Sequence, residues 1–103
     1  PTERVVFEGF LPQKKGRQTR LSQLAQESRT MVFYESPFRL VKSLTQFAEF
    51  YGIERRACVC RELSKMFEEI KRGTLHELQK YYTENPPKGE IVIVVEGVSK
   101  KGK

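Results

Sequence analysis

The segment Glu90–Glu96 (EIVIVVE) constrains this chain more than any other part of it. A strand that is apolar on both of its faces needs cover on both, so an unbroken run of this kind predicts the centre of an α/β sheet. The run from Ile91 to Val95 is also the longest apolar stretch present. It is far shorter than the roughly 20 residues a membrane-spanning helix needs, and no membrane association is expected.

Further strands are predicted at residues 4–8, a β-branched and aromatic run, at 30–35 and at 57–62, with a short edge strand at Glu68–Arg72. Leu21, Leu24 and Ala25 at helical spacing predict a helix from about Arg17 to Glu27. Ser36-Pro37 predicts an N-cap with proline at the first helical position. The helix that follows carries Val41, Leu44, Ala48 and Tyr51 on one face and stops at Gly52. Thr74 and Glu77 form a capping box, so a third helix should run from Leu75 to about Thr83, where Asn85-Pro86-Pro87 ends it. The order strand, helix, strand, helix, strand, strand, helix, strand implies a mixed α/β domain, a sheet of four to five strands flanked by helices. One domain, residues 1–97, is expected. A basic tail, 98–103, is expected to be disordered. A chain of 103 residues that opens at Pro1, close to a strand, reads as a domain cut from a longer protein.

The net charge is +6 and the isoelectric point about 9.5, a balance that favours polyanionic partners. Between Gly9 and Gln26 there is no acidic residue, while Lys14, Lys15, Arg17 and Arg20 all fall there around Gly16. Such a loop suits phosphate contacts, and a solvated loop accounts for the same residues. All 13 acidic residues are Glu, which removes Asp-based triads and Asp-ligated metals. One His and two Cys, Cys58 and Cys60, do not make a zinc site, so no metal is expected. The cysteines point the same way along a strand and read as reduced core thiols of a cytoplasmic protein. No G-x-G-x-x-G or P-loop motif occurs.

Two strand ends run into polar turns: Tyr34-Glu35-Ser36-Pro37 with Arg39, and Arg61-Glu62-Leu63-Ser64-Lys65. Strand ends in open α/β sheets line ligand crevices. Tyr34 would offer a ring and a hydroxyl, Glu35 an acceptor and Arg39 a forked donor. The alternative is that Tyr34 is core, Ser36 only caps and Arg39 pairs with a neighbouring Glu. Lys65 would act as a base only if burial lowered its pKa strongly, and no catalytic residue is identified. His76, inside the capping box, reads as a surface residue.

In order along the chain stand Phe7-Glu8-Gly9-Phe10-Leu11-Pro12, Lys15-Gly16-Arg17, Arg29-Thr30, Phe33-Tyr34-Glu35-Ser36-Pro37 with Arg39-Leu40, Arg61-Glu62-Leu63-Ser64-Lys65, Glu68-Glu69 with Arg72-Gly73-Thr74-Leu75, and Lys88-Gly89-Glu90 with Val95-Glu96-Gly97. This pattern resembles the C-terminal domain of the tetrapyrrole (corrin/porphyrin) methylases. Within that family it is most similar to the branch that 2′-O-methylates cytidine in 16S ribosomal RNA. The resemblance implies a methyltransferase with S-adenosylmethionine held between two domains, of which the other is absent from this sequence, so that this chain alone would be inactive. It implies cofactor contacts from Tyr34 and Glu35, from Glu62, Leu63 and Ser64, and from Glu90, Ile91 and Val92. It also implies a homodimer acting on the small ribosomal subunit, with Lys14, Lys15, Arg17, Arg20 and Arg39 as the residues proposed to touch RNA. Phe38 stands where that branch frequently has His, and is expected to be a packing position. Two other functions stay open: methylation of a tetrapyrrole on the same fold, and a non-catalytic RNA-binding or dimerisation module.

Overall fold

The computed structural model describes residues 4–64 and 67–99, with the side chains of Glu62, Leu63, Ser64, Phe67 and Glu68 left aside. The strands are β1 (Val5–Phe10), β2 (Thr30–Glu35), β3 (Arg56–Ser64), β4 (Phe67–Thr74) and β5 (Glu90–Val95). The helices are α1 (Arg17–Leu24), α2 (Leu40–Tyr51) and α3 (Leu75–Glu84). The strands form one sheet in the order β1-β2-β5-β3-β4. Pairing is parallel between β1 and β2 and antiparallel elsewhere. The apolar run of β5 therefore does lie at the centre, and β4 at an edge, as their sequences predict.

Burial on both faces of β5 does not follow. Ile91, Ile93 and Val95 are buried, whereas Val92 and Val94 between them are only half-buried. The same alternation runs through β2, where Met31, Phe33 and Glu35 are buried and Tyr34 is exposed. All three helices contribute to a single core against that one face, with Leu21, Leu24, Leu44, Phe47 and Leu78 packed over Met31, Phe33, Val59 and Ile93. The opposite face carries no helix among the described residues. Cys58 and Cys60 point to that open face and are half-buried thiols, not core ones.

Three local features differ from their sequence reading. First, β1 contains an irregularity between Phe7 and Gly9, where the partner register slips and Gly9 takes φ 65°. In a regular strand Phe7 and Phe10 would face opposite ways; here both rings meet Tyr34 on the open side, at 5.1 and 5.3 Å between centroids. Second, Ser36-Pro37 does not start α2. The Ser36 hydroxyl accepts from the Phe38 amide (3.1 Å) and its carbonyl accepts from the Arg39 amide (3.0 Å), which makes a separate turn. The helix begins at Leu40, with Arg39 in the cap position. Third, α1 stops at Leu24, and Glu27 closes the following turn by accepting from the Arg29 amide and guanidinium.

The capping box is formed as expected: the Glu77 amide donates to Thr74 Oγ1 at 3.1 Å and the Thr74 amide to Glu77 Oε1 at 2.9 Å. At the end of β5, Gly97 lies against the backbone of Ser28, so that a Cβ there would sit 2.2 Å from a carbonyl carbon. The next amide, Val98, donates to the Glu27 carbonyl at 2.7 Å. The expected tail is thus anchored where it begins; residues 100–103 lie outside the described residues.

Candidate functional site

The C-terminal ends of β2 and β3 and the N-terminal end of β5 lie side by side. Register pairs Tyr34 with Val92, Glu35 with Ile91, and Glu62 with Glu90. The three strand ends expected to line one crevice, 34–35, 62–64 and 90–92, are therefore neighbours at a single end of the sheet. An open trough of about 620 Å³ occupies this end, lined by Phe10, Tyr34, Glu35, Ser36, Pro37, Gly89, Glu90, Ile91 and Val92. Its size falls in the range of small-ligand sites. Lys65 lies outside the described residues, and of Glu62, Leu63 and Ser64 only the backbone is placed.

The trough has an aromatic flank in Phe10 and Tyr34, 65% and 42% exposed. Glu35 sits differently from its expected role. Its side chain turns away from the open face toward the helices, and both oxygens are engaged. Oε1 accepts from the Ser36 amide (2.8 Å) and Arg39 Nε (3.2 Å), while Oε2 accepts from the Ser43 hydroxyl and lies 3.9 Å from Arg17 Nη2. The carboxylate shapes the wall of the trough more than it offers an acceptor inside it.

The basic loop also differs. Arg17 is not a surface cation: it is 6% exposed and donates to Gln46 Oε1 (2.7 Å), the Pro12 carbonyl (2.9 Å) and Ser43 Oγ (2.8 Å). Arg20 forks onto both oxygens of Glu8 at 3.0 and 2.8 Å and also reaches Gln23. The Glu8 carboxylate holds the Arg20 guanidinium more firmly charged than usual. Lys14 and Lys15 are exposed, and Arg39, which donates through Nε to Glu35, is half-buried. Of the five expected cations only Arg17 is buried; Arg20 and Arg39, each paired with a glutamate, keep side-chain exposures of 41% and 37%. Phe38, expected to pack, is 95% exposed on the turn beside the trough.

A periodicity signal for the inward residues was present. Arg17 stands at i, with Leu21 and Leu24 at i+4 and i+7 of one helix face. Ser43 falls among Leu40, Leu44 and Phe47 on the buried face of α2, and Glu35 alternates with Met31 and Phe33. Three polar residues at three apolar positions announce a buried polar cluster.

Residues 2–79 match the tetrapyrrole (corrin/porphyrin) methylases. The chain belongs to that family. Among the curated relatives is the ribosomal RNA small subunit methyltransferase I of Synechocystis sp., 50% identical over 99 residues, which cover 95% of this chain and 36% of the relative. The protein of the same name from Pseudomonas aeruginosa is 46% identical over 100 residues, covering 94% of this chain and 36% of the relative. The chain thus spans little more than a third of the curated relatives it matches. Among solved structures, the cobalamin biosynthetic enzyme cobalt precorrin-4 methyltransferase CbiF superposes with a TM-score of 0.66 at 18% identity, over 89% of this chain and 39% of that one. The methyltransferase CobJ superposes with a TM-score of 0.65 at 17% identity, over 94% of this chain and 42% of that one. These two share the mixed five-stranded fold of this methylase domain.

Proposed function

We propose that this methylase domain is the C-terminal half of an S-adenosylmethionine-dependent enzyme that 2′-O-methylates a cytidine of 16S ribosomal RNA in the small ribosomal subunit. The observation that carries the reading is the trough at the joined ends of β2, β3 and β5, in a chain whose relatives bear the name of a small-subunit RNA methyltransferase. S-adenosylmethionine supplies a methyl group on a sulfonium. The residues here suit its adenosine part: Phe10, Tyr34 and Pro37 give apolar surface for a flat base, and the Ser36 hydroxyl and the backbone from Gly89 to Val92 give polar groups around it. Glu62, Leu63 and Ser64 would complete the contact from the adjacent strand end.

This half orients and does not deprotonate. Methyl transfer from a sulfonium is an in-line displacement, so its rate depends on alignment of donor and acceptor. The 2′-hydroxyl also needs a base; the Glu35 carboxylate is committed to four partners, and Glu90, the other carboxylate lining the trough, is exposed at its edge. The base belongs to the other half of the enzyme or to the RNA. Lys14, Lys15, Arg20 and Arg39 are the cations proposed to meet the RNA backbone. The reading includes a cytoplasmic homodimer, in keeping with the family resemblance.

The test uses the full-length protein, labelled S-adenosylmethionine, and small subunits from a strain that lacks the enzyme, with a uroporphyrinogen-type substrate in parallel. Label is expected in 16S RNA, and it should fall sharply in the variant with Lys14→Ala and Lys15→Ala. Label in the tetrapyrrole alone would overturn the RNA assignment. Label in neither, with RNA still bound, would favour a non-catalytic RNA-binding module.

A further inference from the structure

Among the described residues the buried polar or charged ones are Arg17, Ser43 and Glu35, 6%, 0% and 9% exposed, and they form one cluster. A buried guanidinium and carboxylate are costly unless their hydrogen-bonding groups are met, so the arrangement is specified, not incidental. Each member comes from a different element: Arg17 from the first turn of α1, Ser43 from α2, Glu35 from the end of β2.

The contacts run to both walls of the trough. On one side, Arg17 Nη1 donates to the Pro12 carbonyl at 2.9 Å, two residues after Phe10. On the other, Arg17 Nη2 donates to Ser43 Oγ at 2.8 Å, and the Ser43 hydroxyl donates in turn to Glu35 Oε2. Glu35 Oε1 then accepts from the Ser36 amide at 2.8 Å and Arg39 Nε at 3.2 Å, which fixes the turn bearing Ser36 and Pro37. Arg17 Nε is occupied by Gln46 on α2 at 2.7 Å, so the guanidinium plane cannot rotate freely. One side chain therefore joins the Phe10 flank of the trough to its Ser36-Pro37 rim without lining the trough itself.

We propose that Arg17 is a positioning residue for the cofactor trough, acting through Ser43 and Glu35 on one wall and through the Pro12 carbonyl on the other. This rests on the reading of the trough as the S-adenosylmethionine site. The forked geometry matters: a lysine keeps the charge but donates from a single nitrogen, where the guanidinium reaches its acceptors from three.

The experiment measures the affinity of the full-length protein for S-adenosylhomocysteine by calorimetry, and KM against kcat for S-adenosylmethionine. Its variants are Arg17→Ala, Arg17→Lys, Ser43→Ala and the double Arg17→Ala/Ser43→Ala. Thr74→Ala, a capping change remote from the trough, serves as a control for loss of stability alone. Arg17→Ala and Ser43→Ala are each expected to weaken binding on the order of tenfold, the scale of one lost hydrogen bond to a charged group. Arg17→Lys should recover part of the loss, KM should rise more than kcat falls, and the double variant should be far from the product of the singles. Should Arg17→Ala fail to fold, Ser43→Ala and Arg17→Lys decide. Affinity within twofold of the unsubstituted protein in folded variants, with Tm lowered as in Thr74→Ala, would overturn the inference and leave the cofactor reading standing. No binding by the unsubstituted protein would remove both.

Discussion

Ile93 and Val94 are neighbours in the central strand, of nearly the same size and polarity, and they face opposite sides of the sheet. Ile93 is fully buried beneath the helices; Val94 is half-buried on the face that no described helix covers. The same contrast separates Phe33 from Tyr34 on β2, and Val59 from Cys58 and Cys60 on β3. On the covered face, apolar side chains are removed from water and contribute about 25 cal/mol per Å² buried. On the open face they contribute a fraction of that, and Phe7, Phe10, Tyr34 and Ile70 stay 42–65% exposed. An apolar stripe of this kind is a liability to a lone domain and an asset to one that is covered. The apolar character of a strand thus records what it would need on both faces, and in this chain only one face receives it.

The largest expected effect tests that contrast directly. Ile93→Lys should leave the 103-residue chain unfolded, because a charge at a fully buried position has no partner there. Val94→Lys, one residue along, should cost under about 1 kcal/mol in urea unfolding, since its side chain can reach solvent. Equal losses in the two variants would break the comparison, and would mean that the open face is already covered by self-association. A midpoint that moves with protein concentration would show that directly.

A smaller effect concerns how the helices reach the covered face. Thr74 closes β4 and opens α3 within one residue, and its capping box satisfies amides at the helix start. Thr74→Ala should cost about 1 kcal/mol. Phe7→Ala, on the open face, should cost less despite removing a much larger side chain. Were Phe7→Ala the more costly change, its ring contact with Tyr34 would outweigh the exposure of both.

These same elements show what the amino-acid order discloses. The capping box, the stop at Gly52, the edge position of β4 and the centrality of β5 are local signals that tertiary contacts reinforced. Two of the strand ends at the trough, those of β2 and β3, are legible as strands running into polar turns; the start of β5 is named only through the family resemblance. Charge without period does not disclose direction. Lys14, Lys15, Arg17 and Arg20 look alike as a basic run, yet Gly16, with φ 86°, starts α1 in a register that aims Arg17 inward with Leu21 and Leu24. Ser36 resembled a helix cap, but its hydroxyl and carbonyl accept from the Phe38 and Arg39 amides in a turn that precedes the helix at Leu40. The open face was beyond a single-chain reading, because an apolar run says that cover is needed and not whether this chain supplies it.

The smallest effect at neutral pH lies on the covered side, where packing is otherwise complete. The hydroxyl of Tyr82 is buried and has no hydrogen-bond partner among the described residues, and the residue is 2% exposed. Tyr82→Phe removes an unsatisfied polar atom and keeps the ring against Tyr81, so at pH 7 it should be neutral or stabilising by up to about 1 kcal/mol. Burial pushes the Tyr82 phenol up to about 12. The sign follows from which form is buried: the folded chain holds the neutral phenol, while the unfolded chain ionises near the ordinary value of about 10. Stability is therefore whole below pH 10 and falls as pH rises from 10 toward 12, by on the order of 2–3 kcal/mol if nothing else intervenes. Tyr51, also buried without a partner for its hydroxyl among the described residues and likewise pushed up by burial, adds to the same alkaline loss. Urea unfolding at pH 7 and pH 11 separates the two effects. Tyr82→Phe should match the unsubstituted chain at pH 7 and exceed it at pH 11. A phenylalanine variant that lost stability at pH 7 would mean that the hydroxyl is hydrogen-bonded after all, and that the covered face hides a bound water beneath α3.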